Sequence, residues 1–164
     1  MTGIRPRTLS VLLVEDSRLL TERLRETIAA AGAQLAGSVD TEAAAVASLK
    51  HRPIDVVLLD LHLRGGTGFG VLRSINDGGV GKVVPIVLTN HDLGEYRRAA
   101  AALGARYFLD KLRDFERLPE ILGQVGAEFD STPSEQATLS EEAKPGEPSN
   151  ARGSELTRAA GLSC

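Results

Sequence analysis

Five short apolar runs punctuate the chain up to Lys111, separated by polar and glycine-rich stretches. The densest is Val56-Val57-Leu58-Leu59, which ends abruptly on Asp60. A short continuous apolar run predicts a strand buried on both faces, as in a parallel sheet. Leu9 to Val14 repeats the pattern and ends on Glu15-Asp16, and Gln34 to Val39 is a weaker version. Lys82 to Leu88 runs into Thr89, and Arg106 to Leu109 ends near Asp110-Lys111. Pro85 falls inside the fourth run. A proline donates nothing to a ladder, so this strand is either entered irregularly or near an edge at that point.

Helical spacing fills the gaps. Ser17 supplies an N-cap, Leu20, Leu24, Ile28 and Ala31 recur on one face, and Gly32 ends the helix. Thr41 caps an alanine-rich helix from Glu42 to about Lys50, with Ala43, Val46, Ala47 and Leu49 available for its buried face. The loop Arg64-Gly65-Gly66-Thr67-Gly68 leads into a short helical pattern, Phe69 to Ile75. Asp92 to Leu103 is helical and closed by Gly104. Asp114 is placed to cap a last helix whose apolar side is Phe115, Leu118, Ile121, Leu122 and Val125. Pro119 lies early in that helix, where proline costs least. Strand and helix therefore alternate five times, which argues for a parallel sheet with helices on both faces and right-handed crossovers.

From about Asp130 large apolar residues become rare, and Pro, Ser, Thr, Glu and Gly dominate. Such a stretch cannot bury enough surface to offset the entropy of ordering. The expected organisation is one domain over residues 1–129 and a disordered Pro/Ser/Glu-rich tail over 130–164. The net charge of −3 and the lack of a Lys/Arg run argue against a nucleic-acid partner. Cys164 is the only cysteine, which excludes an internal disulfide. The apolar run behind Arg5 and Arg7 stops at Glu15-Asp16, too soon for a signal peptide or membrane span. A soluble cytoplasmic protein with no membrane contact is expected.

In a doubly wound sheet the C-terminal ends of the strands share one edge, where ligands bind. Glu15, Asp16, Asp60, Thr89 and Lys111 all stand at such ends. Three carboxylates brought together repel, and a hard divalent cation such as magnesium offsets that cost most readily. A carboxylate beside a cation and a lysine can attack a phosphoryl group, with Thr89 bonding one of its oxygens. Taken singly, each residue has an ordinary reading: Asp60 as a turn cap, Lys111 as a solvated surface lysine, Thr89 as a hydroxyl bonded to backbone. The joint pattern is what carries the chemistry.

These segments resemble the receiver domain of two-component response regulators, the family that includes the chemotaxis response regulator. The resemblance rests on Val11 to Ser17, Val57 to Leu61, Gly65 to Gly68, Val87 to Thr89, and Gly104-Ala105 through Phe108 to Lys111, in order across Leu9 to Ala127. It implies a flavodoxin-like strand order of 2-1-3-4-5. It implies that Asp60 accepts a phosphoryl group from a histidine kinase or phosphotransfer protein, and that Asp16, Asp60, Glu15 through water and the backbone carbonyl of His62 bind magnesium. Thr89 and Phe108 would form the switch, and Lys111 would pair with the phosphoryl group. For Phe108 ordinary burial on the fifth strand is an equally compatible role.

Three departures from the family pattern stand out. Leu112 replaces the usual proline after Lys111, so the loop is either trans and differently shaped, or strained. Arg64 stands where proline is common. His62 and His91 lie two residues past Asp60 and Thr89, as tuners of phosphoryl lifetime or as plain exposed loop histidines. A zinc site is disfavoured, because no cysteine or third histidine is near.

The expected function is a single-domain response regulator in a phosphorelay, signalling through contacts with an unknown downstream protein. It would not be an enzyme beyond its own phosphorylation and dephosphorylation on Asp60. The alternative is a constitutive adaptor that kept the fold and lost phosphorylation. An aspartyl-phosphate phosphatase would want a second aspartate where His62 stands, and a flavodoxin-like cofactor protein would want no acids after the first strand.

Overall fold

The computed structural model describes residues 7–91 and 93–131. The elements run in chain order as β1 (Ser10–Val14), α1 (Arg18–Ala30), β2 (Gln34–Val39), α2 (Glu42–His51), β3 (Val56–Leu59), α3 (Gly68–Asn76), β4 (Val84–Thr89), α4 (Gly94–Ala102), β5 (Tyr107–Asp110) and α5 (Leu118–Ser131). A 3-10 turn, Phe115–Arg117, precedes α5. All pairings are parallel and the strand order is β2-β1-β3-β4-β5, as expected for the flavodoxin-like fold.

The two-residue period of a strand sends alternate side chains to opposite faces. Val11, Leu13, Val56, Leu58, Ile86 and Leu88 pack with Leu24 and Ile28 of α1 and with Leu118, Ile121, Leu122 and Val125 of α5. Leu12, Val14, Val57, Leu59 and Val87 face the other way, against Ala45 and Leu49 of α2, Val71 and Leu72 of α3, and Ala100 of α4. The central strands are thus apolar throughout because both faces are covered.

Pro85 sits inside a central strand, paired with Val57. Val84 N–H bonds Asp55 O on the β3 side, so the alternation of a parallel ladder turns the Pro85 nitrogen towards β5. On that side Pro85 O accepts the Arg106 N–H at 2.9 Å and strand pairing starts at Ile86 opposite Tyr107, so a donor at Pro85 would lie before the ladder. Pro85 is at a local edge of the ladder although its strand is not an edge strand.

Ser17 and Thr41 cap α1 and α2 through their side-chain oxygens, as their positions predict. Two local expectations need correction. Ala43 and Ala47 are exposed, and Ala45 with Leu49 makes the buried contact of α2. Among Ala43, Ala44, Ala45 and Ala47 no size difference marks the inward face, so the packing partner decides it. Asp114 does not cap a helix through its side chain. Its carboxylate is engaged by Asp110, as described below. The last helix extends through Ser131, so Asp130 and Ser131 are helical. The remainder of the expected tail, and Asp92 at the expected start of α4, lie outside the described residues.

Candidate functional site

Ladder bonds continue one residue past the strands and set the site in register. Val14 pairs with Leu59, and Leu59 with Val87. Beyond them Asp60 N–H bonds Val14 O at 3.0 Å, and Lys111 N–H bonds Thr89 O at 3.0 Å. Glu15, Asp60, Thr89 and Lys111 are therefore delivered to one edge by backbone alone.

Their side chains converge. Lys111 Nζ lies 2.6 Å from Asp60 Oδ2 and 2.7 Å from Glu15 Oε2. The Lys111 side chain is only 8 % exposed, against 2 % for Glu15 and 7 % for Asp60, so this is a buried charge triad and not a surface pair. Burial is the largest influence on Glu15 and pushes its carboxyl up, against the pull of Lys111 and the Ser17 N–H. Burial is also the largest single influence on Lys111 and acts downward. The hydrogen bonds and charges of Asp60 and Glu15 together outweigh it and hold the ammonium above its ordinary value.

Asp16 is exposed, and one carboxylate oxygen each of Glu15, Asp16 and Asp60 lie within 4.8 Å of one another. An oxygen-only set of three acids on a partly open edge fits a hard divalent cation. Lys111 bonds two of the three carboxylates but supplies a single positive charge, and the third, Asp16, faces solvent. Asp60 Oδ1 accepts the His62 N–H at 3.2 Å, which leaves the carbonyl of His62 in the same loop. Thr89 is fully buried, and its Oγ1 accepts the His91 N–H at 3.3 Å.

His62 and His91 are exposed, yet their rings touch, with centroids 4.0 Å apart and planes tilted by 32°. Tyr96 of α4 lies 6.2 Å from the His62 ring and makes an edge contact with Phe69 at 5.6 Å. The two loops that carry Asp60 and Thr89 thus touch through their histidines. Phe108 is half-buried, with the Arg97 guanidinium 4.6 Å over its ring and Arg97 Nη1 donating to Phe108 O at 3.2 Å.

The Lys111–Leu112 bond is trans, since the described residues contain no cis peptide. Leu112, which follows that bond, points outward at 87 % exposure.

One anchoring residue escaped the sequence reading, which took Glu42 only as the first residue of α2. Its carboxylate accepts the Thr67 N–H at 2.8 Å, and its own N–H bonds Gly65 O at 2.8 Å. Side chains at Gly66 or Gly70 would collide with it. Gly68 is held by a different contact, because a Cβ there would overlap the Asp60 carbonyl oxygen. The glycine-rich loop is thus shaped to fold over both Glu42 and the backbone of Asp60. The run of glycines was the available signal, but nothing local showed that Glu42 was the partner.

Residues 11–123 match the family model of the response regulator receiver domain. No curated protein sequence matches the chain significantly. Solved structures share the fold. A LuxR-family DNA-binding response regulator of Staphylococcus aureus aligns over 72 % of this chain and 98 % of its own, with TM-score 0.67 and 24 % identity. The response regulatory domain of mrkE from Klebsiella pneumoniae aligns over 76 % and 100 %, with TM-score 0.68 and 21 % identity. The receiver domain of a sensor histidine kinase of Pseudomonas aeruginosa, which has a magnesium ion coordinated in its active-site cleft, aligns over 74 % and 99 %, with TM-score 0.65 and 24 % identity. With the family model spanning β1 to α5 and the acids gathered at the expected sheet edge, this chain belongs to the response regulator receiver-domain family.

Proposed function

We propose that this receiver domain is a cytoplasmic phosphoacceptor switch that takes a phosphoryl group on Asp60 from a phosphohistidine of a histidine kinase or phosphotransfer protein. The observation that carries the reading is the buried Lys111 ammonium 2.6 Å from Asp60 Oδ2, beside two further carboxylates. A carboxylate oxygen of Asp60 attacks phosphorus, the phosphorus–nitrogen bond of the donor breaks, and the donor imidazole leaves. Lys111 stabilises charge on the transferring oxygens, and the Thr89 hydroxyl donates to one of them. Glu15, Asp16, Asp60 and the His62 carbonyl would hold magnesium, which supplies further neutralisation of phosphoryl charge when bound. Hydrolysis of the acyl phosphate returns Asp60 to its starting state, so the chain acts on itself and on no separate substrate.

A donor must bring its histidine to this edge. Leu19, three residues past Asp16, is 84 % exposed, and Leu112, next to Lys111, is 87 % exposed. These two side chains offer the apolar contacts that a docking protein would cover. Output runs through a downstream protein that reads Phe108 and the α4 surface, with the buried Thr89 acting on them from within. No helix among the described residues is long and apolar enough to cross a membrane.

Intact-protein mass after incubation with acetyl phosphate and magnesium tests the reading. A phosphoryl adduct is expected on the wild type and not on Asp60→Ala or without magnesium. No adduct, together with no binding of beryllofluoride, would sink it in favour of a constitutive adaptor.

A further inference from the structure

The loop after β5 ties itself into a closed ring around Lys111. Asp110 Oδ1 accepts the N–H groups of Leu112 at 2.8 Å and Arg113 at 3.0 Å. Asp114 Oδ2 accepts the Asp110 N–H at 2.9 Å, and the Asp114 N–H returns to Asp110 O at 2.9 Å. Arg113 Nη2 lies 3.4 Å from Asp110 Oδ2, and Arg117 Nη1 lies 3.3 Å from Asp114 Oδ1. Two aspartates thus hold the backbone on both sides of a single lysine.

We propose that Asp110 and Asp114 are positioning residues for Lys111, fixing where its backbone launches the side chain towards Asp60. This role rests on the reading that Asp60 takes a phosphoryl group. A lysine reaches its partner through a flexible four-carbon stem, so its ammonium is only as well placed as the backbone that carries it. Apolar packing holds the loop's two ends, at the buried Leu109 and Phe115, but not the span between them, where Leu112 faces solvent. Within that span hydrogen bonds to carboxylates hold the backbone, and charge-assisted bonds of this kind are the stronger sort.

A plain helix-capping role would spend the Asp114 carboxylate on N–H groups of the turn that follows. It makes no such bond. It reaches back four residues to the last N–H of β5, which a cap has no need of but a lysine clamp does. Both carboxyls are held below their ordinary range, chiefly by the Arg113 N–H for Asp110 and by the Asp110 N–H for Asp114, so the clamp is made of ionised acceptors.

The full-length chain is compared as wild type, Asp110→Ala, Asp110→Asn, Asp114→Ala and Asp114→Asn. Three quantities are followed: phosphoryl capture from acetyl phosphate at saturating magnesium, magnesium affinity by calorimetry, and hydrogen exchange of the Leu112 and Arg113 amides. The alanine variants should lose about tenfold or more in capture rate, because a small misplacement of a charged group is costly. Their magnesium affinity should not weaken, since Lys111 is not a metal ligand. The asparagine variants keep an acceptor oxygen and should recover most of the rate. The two amides should exchange faster in Asp110→Ala than in the wild type. Wild-type capture rates in both alanine variants would overturn the role, as would a loss of magnesium affinity in step with rate, which marks general loosening. Unaltered amide exchange in Asp110→Ala would show that there is no clamp. Absence of an adduct on the wild type would instead reject the phosphoacceptor reading, and this role with it, while the exchange data would still show whether the ring exists.

Discussion

Lys111 lies 51 positions beyond Asp60 in the chain, yet its Nζ sits 2.6 Å from Asp60 Oδ2. Glu15 Oε2 shares the same ammonium at 2.7 Å. Breaking a buried charge pair by removing one partner leaves the other uncompensated, which costs about 3 kcal/mol or more. Lys111→Ala should therefore lower the urea-unfolding free energy by about that amount at neutral pH in the absence of magnesium. The same variant should bind magnesium at least as tightly as the wild type, because a competing positive charge is gone. An unchanged unfolding midpoint would mean that the triad adds nothing to the fold.

The acids around Lys111 carry opposite pH signatures. Asp110 and Asp114 have carboxyls held below the ordinary aspartate value of 3.8. A depressed folded-state pKa contributes stability that is present above the unfolded value and lost as pH falls through the folded one. The double variant Asp110→Asn, Asp114→Asn should show a shallower loss of stability below pH 3.8 than the wild type. Burial raises Glu15 above its ordinary 4.5, so its contribution is present below that value and fades as pH rises through the folded pKa. Wild-type stability relative to Glu15→Gln should accordingly decline as pH climbs above 4.5. Denaturant titrations across this range check both signs, and parallel curves for all three proteins would refute them.

Gly68 and Gly123 should respond to alanine in opposite directions. A methyl at Gly68 would overlap the Asp60 carbonyl oxygen and lie 2.8 Å from Leu61 Cα, both of them backbone with nowhere to retreat. Overpacking of this kind costs about 1–3 kcal/mol, and here it would also shift the loop that holds Asp60. Gly123 lies inside α5, and a methyl added there would meet nothing within 4 Å. Replacing it with alanine should add about 0.5–1 kcal/mol by reducing the backbone entropy lost on folding. Thermal unfolding of the two variants reads both effects, and stabilisation by Gly68→Ala would contradict the packing.

Thr89→Val should separate binding from switching. Thr89 is fully buried, and losing its oxygen leaves the His91 N–H without that acceptor, a cost of about 1 kcal/mol in stability. With a fluorinated phenylalanine at position 108, the wild-type fluorine resonance should move when magnesium and beryllofluoride are added. In Thr89→Val, beryllofluoride should still bind while that resonance stays in place. An equal movement in both proteins would remove Thr89 from the path to Phe108.

Much of this was legible along the chain. The apolar runs located β1, β3 and β4 because strands covered on both faces must be apolar throughout, and they marked the less buried β2 and β5 more weakly. Ser17 and Thr41 marked helix starts through chemistry that acts within three residues. Other features were out of reach for the same reason. The buried face of α2 was misjudged because neighbouring alanines offer no size contrast. The use of Asp114 was misjudged because a carboxylate can serve the turn ahead or the strand behind with equal local chemistry.

The sequence by itself determined the order of elements, the strand termini and the types of reactive group placed there, because periodicity and capping depend on residues a few positions apart. Only the tertiary structure decided which groups share an atom's width of space. It put one ammonium between Glu15 and Asp60, docked Glu42 onto Thr67, and set His62 against His91. Those pairings depend on ladder register and helix docking between residues from 25 positions apart, for Glu42 and Thr67, to more than 51, separations over which a residue's identity carries no information about its neighbour.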